Sequence, residues 1–214
     1  MKKFVINLKR RPDRLKQFQE RCPYTDVEVV YGFDGKNPND ESKNNQRIFK
    51  LLPKTISPGA RGCWISHLNI WKKIISQNLP MAMIFEDDAL FNENFNLESF
   101  DLPTNGIIYF GGRFTKDFMV PEPYSLKINE NINKSNPLKW DGKLHDRTTH
   151  GYIITNVVAK LLIETFNNNQ NQTHVDHFII QTLKTFEIPI YNTIPLMCYS
   201  PRYGDSDIQL KQFN

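Results

Sequence analysis

Short apolar runs alternate with amphipathic stretches along the chain. Residues 3–8 (KFVINL) and 27–31 (VEVVY) have strand composition and no helical spacing. Between them Pro12 and Asp13 open a helical pattern with Leu15, Phe18 and Cys22 on one side, and proline suits a first helical turn. Gly32, Asp34 and Gly35 end the second strand, and residues 36–45 are polar and turn-rich, which predicts a loop. The clearest helix starts at Ser57 and Pro58, carries Trp64, Leu68, Trp71, Ile74 and Ile75, and stops near residues 78–80. Residues 81–85 (MAMIF) predict a buried strand, and residues 107–110 another, closed by Gly111 and Gly112. Further on, residues 151–155 predict a strand and Asn156 caps a helix over 157–166. Residues 167–173 form a polar turn, a helix runs from Asp176 to about residue 186, and residues 188–191 make a last short strand. This alternation, without repeats, predicts an α/β fold with a mainly parallel central sheet flanked by helices. The stretch 113–149 is too long for an idle connection and reads as a functional loop region or lid.

Composition narrows the class. A chain of 214 residues is long enough for one sizeable domain and short for two, so residues 1–214 are expected to form a single domain. With 39% hydrophobic and 23% charged residues the composition is that of an ordinary soluble globular protein. A net charge of +4 without a long basic run argues against a dedicated nucleic-acid binder, while suiting a phosphate-bearing ligand. The apolar stretch 4–8 is too short for a signal-peptide core, and no segment approaches the ~18 apolar residues of a membrane span. Peripheral membrane contact stays open. Cys22, Cys63 and Cys198 are odd in number and far apart, so neither a disulfide framework nor a zinc site is indicated, and a cytoplasmic location is the expectation.

The chemistry concentrates at residues 81–91, MAMIFEDDALF. Glu86, Asp87 and Asp88 follow a core strand directly, at the carboxyl end where open α/β sheets place their ligands. A carboxylate buried without a partner costs several kcal/mol or shifts its pKa, so the three acids need solvent or a cation. An acidic turn ending the strand and a divalent-metal site are equally good readings of the spacing. Asn7, Arg11 and Arg14 sit just past the first strand, where arginine forks can take phosphate, although surface arginines on a solvated helical turn look the same. Asp34 with Gly35 could hold a ribose or simply make a turn. His67 lies one helical turn from Cys63 and Trp71, where a satisfied core histidine is commoner than a catalyst. His150, Gly151 and Tyr152 mark the chain's return to the core, and Asp176 fits an ordinary first-turn acid. Asp205 and Asp207, near the end, read as solvated.

The order of these stretches is more telling than any one of them. FVINLKRRPDRLKQF (4–18), GFDGK (32–36), SPGARGCWISHLNIWKKII (57–75), MIFEDDALF (83–91), IIYFGGR (107–113), THGYIITNVVAKLLI (149–163), HVDHFII (174–180) and SPRYGDSDI (200–208) together resemble glycosyltransferase family 25. That family includes bacterial lipooligosaccharide galactosyltransferases and eukaryotic procollagen galactosyltransferases. The GCxxSHxxxW element, here Gly62, Cys63, Ser66, His67 and Trp71, is the most specific of them.

The resemblance implies a GT-A type, Rossmann-like sandwich and an inverting transferase using a UDP-sugar with Mn2+ or Mg2+ to glycosylate a glycan or glycoconjugate. On that reading Glu86–Asp87–Asp88 stands at the DxD-like position, with Asp88 and Glu86 as metal ligands. Asp176 matches the family's VD position and takes the role of base. Asn7, Arg11, Arg14 and Asp34 would line the nucleotide side, His67 and Asp87 belong to the same binding set, and His150 and Tyr152 would lie near the sugar or acceptor. Regions 36–56 and 113–149 carry no match to the family's motifs, so neither donor sugar nor acceptor carries over. A non-catalytic nucleotide-sugar-binding relative is one competing reading. A metal-dependent phosphohydrolase or nucleotidyltransferase is another; a nucleotidyltransferase would carry a Gly-rich phosphate loop where this chain has the glycine-free NLKRRPDR.

Overall fold

The structure, a computed structural model, describes residues 1–40, 42–91, 102, 104–114, 132–134, 144–145, 148–168, 173–193 and 197–200. A seven-stranded sheet is its centre. Its strands are β1 (Lys2–Asn7), β2 (Val27–Tyr31), β3 (Met81–Glu86), β5 (Ile107–Tyr109), β7 (Ile132–Lys134), β9 (Gly151–Thr155) and β10 (Ile190–Thr193), in the order β2-β1-β3-β9-β5-β10-β7. β2, β1 and β3 run parallel, β9 is antiparallel to both β3 and β5, β10 is parallel to β5, and β7 is antiparallel to β10. All but β9 and β7 therefore point one way, which makes a mostly parallel mixed sheet of the α/β class.

Alternate residues of the inner strands feed two apolar layers, as the twofold period of a strand requires. Phe4 and Ile6, Ala82 and Ile84, Ile107 and Tyr109, and Tyr152 and Ile154 face one layer. Val5, Met83, Phe85, Ile108 and Ile153 face the other. The first layer is covered by α2 (Lys43–Leu51), α3 (Pro58–Ser76), α4 (Asn156–Asn168) and α5 (Val175–Thr185). The second meets Phe18 of α1 (Pro12–Arg21) and a small sheet of β4 (Leu90–Phe91), β11 (Cys198–Ser200), β6 (Gly111–Phe114) and β8 (Leu144–His145), in the order β4-β11-β6-β8.

α3 is the helix that matters for the site. Ser57 caps it by accepting the Ala60 amide at 3.1 Å, and Pro58 occupies its first turn. Ten of its residues are buried, which is why it lacks a clean polar stripe. Trp64 packs on Phe166 of α4 and Phe178 of α5 at ring separations of 4.6 and 4.9 Å. The loop expected over residues 36–45 is shorter than its composition suggested. After a 3-10 turn at Pro38–Asp40, α2 starts at Lys43 because Ser42 caps it and Ile48 and Leu52 drop into the core. The polar Lys43, Asn44 and Asn45 are simply its outward first turn. The proposed lid at 113–149 lies mostly outside the described residues, as do Asp205 and Asp207.

Candidate functional site

β1 and β3 are hydrogen-bonded neighbours with Ile6 opposite Glu86, so Asn7 and Asp87 emerge side by side at their carboxyl ends. α1 leaves β1 toward one face while α3 covers the other, and a cleft opens above these strand ends. Its walls include Arg10, Arg14, Asp34, Lys36, Cys63 and the three acids.

The acids have three different environments. Asp87 accepts the Asn7 side-chain amide at 2.7 Å and pairs with Arg14. Burial, reinforced by the charges of Asp88 and Glu86, outweighs Arg14 and Asn7 and pushes its carboxyl up to about 6. Glu86 gathers donors on Oε1: the Thr149 hydroxyl at 2.6 Å, His67 Nε2 at 3.1 Å and the Cys63 thiol at 3.8 Å. Burial alone would raise its pKa. The charge of His150, the hydrogen bond from His67 and the Thr149 hydroxyl prevail and hold the carboxyl well below the usual range. Asp88 pairs through Oδ2 with Arg14 at 3.2 Å, whereas its buried Oδ1 has no hydrogen-bond partner.

His150 closes the group. Its Nε2 is 3.8 Å from Asp88 Oδ1 and 3.9 Å from Glu86 Oε2, too far for hydrogen bonds. Donor atoms of Glu86, Asp88 and His150 lie within 4.8 Å of one another. A buried carboxylate oxygen without a donor, facing an imidazole nitrogen and a second carboxylate, is what a divalent cation would satisfy. These residues fit a metal site.

Behind Glu86 runs a buried chain of hydrogen bonds. Trp71 Nε1 donates to the Tyr152 hydroxyl at 3.1 Å, which lies 2.8 Å from His67 Nδ1. An indole N–H only donates and an ionised carboxylate only accepts. The network then has one fully satisfied direction: Tyr152 donates to Nδ1, and His67, as the neutral Nε2–H tautomer, donates to Glu86. His67 and Tyr152 are both fully buried, Tyr152 behind the carboxylates and His67 in the wall of the cleft itself.

The remaining expected residues are spread. Asp34 accepts Arg10 Nε at 2.7 Å, Asn37 at 2.8 Å and the Lys36 amide at 3.0 Å. Burial opposes its ionisation, but these donors outweigh it and hold the carboxyl below its ordinary value. Arg11 turns to Asp13 at 2.9 Å, leaving Arg10 and Arg14 as the arginines of the cleft. Asp176 is half-buried in the first turn of α5, and its charge is felt at Cys63. Desolvation and the charges of Glu86, Asp176 and Asp88 push the Cys63 thiol well up, so it serves as a hydrogen-bond donor and not as a nucleophile. Arg10 and Thr149 are the contributors that sequence reasoning overlooked; Thr149 sat in the THGY stretch, next to the residues singled out there.

The GCxxSHxxxW element now has a physical account. A side chain at Gly62 would put Cβ 2.6 Å from the Phe33 carbonyl oxygen, so only glycine lets α3 lie against the loop after β2. The Ser66 hydroxyl accepts the Phe33 amide at 2.9 Å and donates to the Gly62 carbonyl at 2.7 Å. Cys63 and His67 reach Glu86, and Trp71 anchors Tyr152.

A mostly parallel α/β sheet with an acidic group at the end of an inner strand is consistent with a Rossmann-like glycosyltransferase. The chain belongs to glycosyltransferase family 25: the profile described as Glycosyltransferase family 25 (LPS biosynthesis protein) matches residues 1–179. Among its relatives, procollagen galactosyltransferase 1-A of Xenopus laevis is 35% identical over 229 residues, covering 96% of this chain and 33% of that protein. Human procollagen galactosyltransferase 2 is 27% identical over 226 residues, with the same coverage of 96% and 33%. The human inactive glycosyltransferase 25 family member 3 is 33% identical over 102 residues, covering 43% of this chain and 17% of that protein. The chain spans about a third of the length of the full-coverage relatives. A solved nucleoside-diphosphate-sugar pyrophosphorylase from Vibrio cholerae superposes with a TM-score of 0.38 at 7% identity over 93% of this chain and 72% of that one, too slight a likeness to build on. No helix among the described residues is long and apolar enough to cross a membrane.

Proposed function

We propose that this chain transfers a hexose, galactose or glucose, from a UDP-sugar to a hydroxyl of a glycan or glycoconjugate, with inversion and with the help of Mn2+ or Mg2+. The observation that carries this reading is the group of Glu86, Asp88 and His150 at the end of β3, with Asp88 Oδ1 buried and unpartnered. Two carboxylates and an imidazole suit Mn2+ well, since imidazole favours transition metals and carboxylates favour hard ions. When bound, such an ion neutralises the diphosphate and stabilises the charge developing on UDP as it leaves.

The chain's own residues supply the rest. Arg10, Arg14 and Lys36 line the cleft and give it positive walls for a diphosphate. Glu86 is held ionised by the charge of His150 and by the His67 and Thr149 donors, so this carboxylate carries no proton at neutral pH. Asp176 is the proposed base. The acceptor oxygen attacks the anomeric carbon, its proton passes to the Asp176 carboxylate, and the bond from that carbon to the UDP oxygen breaks. The procollagen galactosyltransferases among the relatives favour galactose as the sugar. The relative named as inactive keeps a second reading in play, a binding module without turnover.

The test is UDP release from UDP-galactose and UDP-glucose, with Mn2+ and with EDTA, in the native protein and in Asp88→Asn. Metal-dependent release that the variant loses supports the transferase. Tight UDP binding without release from either donor, with every acceptor tried, favours the binding module. Absence of both binding and release overturns the UDP-sugar reading.

A further inference from the structure

Beside the catalytic cleft lies a second cavity of about 380 Å3, lined by Asn39, Gln46, Phe49, Lys50, Lys54 and Arg61, with Pro38 at its edge. The two are close neighbours. Lys36 and Gly59 line the cleft, and Pro38 and Arg61, two residues further along the same segments, line the cavity. Gly35 joins them, since a Cβ there would lie 1.8 Å from the Pro58 carbonyl oxygen, so the loop rests directly on the start of α3.

This cavity is cationic. From Ser42 to Phe85 the chain carries Lys43, Arg47, Lys50, Lys54, Arg61, Lys72 and Lys73 and not one Asp or Glu. Three of those cations line the cavity, and none of its lining residues is acidic. The Arg61 guanidinium carbon lies 4.1 Å from the centre of the Phe49 ring, and its Nη1 donates to the Phe49 carbonyl across a long 3.4 Å. Its Nε is buried and has no hydrogen-bond partner. A buried guanidinium N–H left without an acceptor is costly, and the ring contact restrains the guanidinium before any ligand arrives. A cavity with an excess of cations, a restrained guanidinium and an orphaned buried donor fits an oxyanion.

We infer that this cavity is a subsite for a phosphomonoester carried by the acceptor sugar, with Arg61 as the orienting fork and Lys50 and Lys54 as flanking charges. The inference rests on the transferase reading for the word acceptor. The donor's diphosphate has its own cations, Arg10 and Arg14, at the strand ends, so the second cavity serves the other substrate. A compact dianion matches three cations around one small volume better than a carboxylate does.

The experiment is calorimetric titration of the full chain, saturated with UDP and Mg2+, with inorganic phosphate, glucose 6-phosphate and glucose. The expected result is saturable binding of both phosphates, glucose 6-phosphate the tighter, and none of glucose. Arg61→Gln should weaken glucose 6-phosphate about ten- to a hundredfold, and the exposed Lys54→Gln, which leaves the fold untouched, should weaken it severalfold. UDP binding should stay unchanged in both variants. Equal affinity for inorganic phosphate and glucose 6-phosphate would mean a free-anion site and overturn the acceptor role. No saturable phosphate binding, or binding indifferent to both substitutions, would overturn the subsite altogether. If UDP fails to bind the native protein, the transferase reading falls, while the phosphate titration still decides for or against an anion site.

Discussion

Removing a single hydroxyl, in Tyr152→Phe, tests the buried chain that holds Glu86. The ring keeps its place against His67 and Tyr109, at centroid separations of 5.6 and 6.2 Å, so no cavity opens. Two neighbours lose their partner: Trp71 Nε1, now 3.1 Å from the hydroxyl, and His67 Nδ1, now 2.8 Å from it. Trp71, His67 and Tyr152 are all fully buried, so water cannot replace what is lost without forcing the core open. Each orphaned buried group costs about 1–3 kcal/mol, and some is recovered because the hydroxyl's own desolvation disappears, which leaves a net loss of about 2–4 kcal/mol. Urea unfolding followed by tryptophan fluorescence reads this directly. With a slope of about 3 kcal/mol per molar urea, the midpoint should fall by about 1 M. A fall worth less than about 0.5 kcal/mol would refute a continuous chain. Nitrogen-15 NMR of the native protein gives an independent check, because the network requires the Nε2–H tautomer of His67; a protonated Nδ1 would refute its direction.

Four other outcomes follow from the same geometry. Asp88→Asn should weaken Mn2+ binding by about tenfold or more, since losing even a supporting residue costs about that much, and titration of the metal-free protein measures it. Asp87 has its folded pKa raised from 3.8 to about 6, so its contribution to stability is fully present below about 3.8 and lost as pH rises through 6. Relative to Asp87→Asn, the metal-free native protein should therefore lose up to about 3 kcal/mol between pH 4 and pH 7, and a flat difference in unfolding free energy would contradict this. Gly62→Ala drives Cβ into the Phe33 carbonyl and, at 2.9 Å, the Gly35 amide, and should cost about 1–3 kcal/mol, visible as a fall in Tm of several degrees. Asp176→Asn should lower kcat about a hundredfold or more while UDP affinity stays unchanged; a parallel loss of UDP affinity would assign Asp176 to donor binding instead.

The inner strands were legible because each is buried on both faces and so reads as an unbroken apolar run: FVI in β1, AMIF in β3 and YII in β9. α3 was legible from its Ser57–Pro58 start. The small sheet escaped, because β4, β11 and β8 are two or three residues long and exist only through partners far away in sequence. Gly111 shows how such pairing is written without a hydropathy signal: a Cβ there would lie 1.2 Å from the Cys198 carbonyl oxygen. Likewise Arg10 and Arg11 are indistinguishable as letters. Which of them meets Asp34 depends on the turn by which β1 enters α1, where the Arg11 amide bonds back to the Leu8 carbonyl.

A run of three carboxylates at the edge of a core is tolerable here because each has a different device. Asp87 is shared between a guanidinium and an amide, and the Arg14 charge offsets its own. Glu86 is kept ionised by donors arriving from α3 and from Thr149, two residues before β9, which the fold brings to the same strand end. Asp88 keeps a buried oxygen with no protein donor. Had all three been satisfied internally, the triplet would be a structural knot. Had none been, repulsion would have splayed the loop into solvent. Leaving a buried oxygen open, beside an imidazole and a second carboxylate, leaves the site able to take a cation.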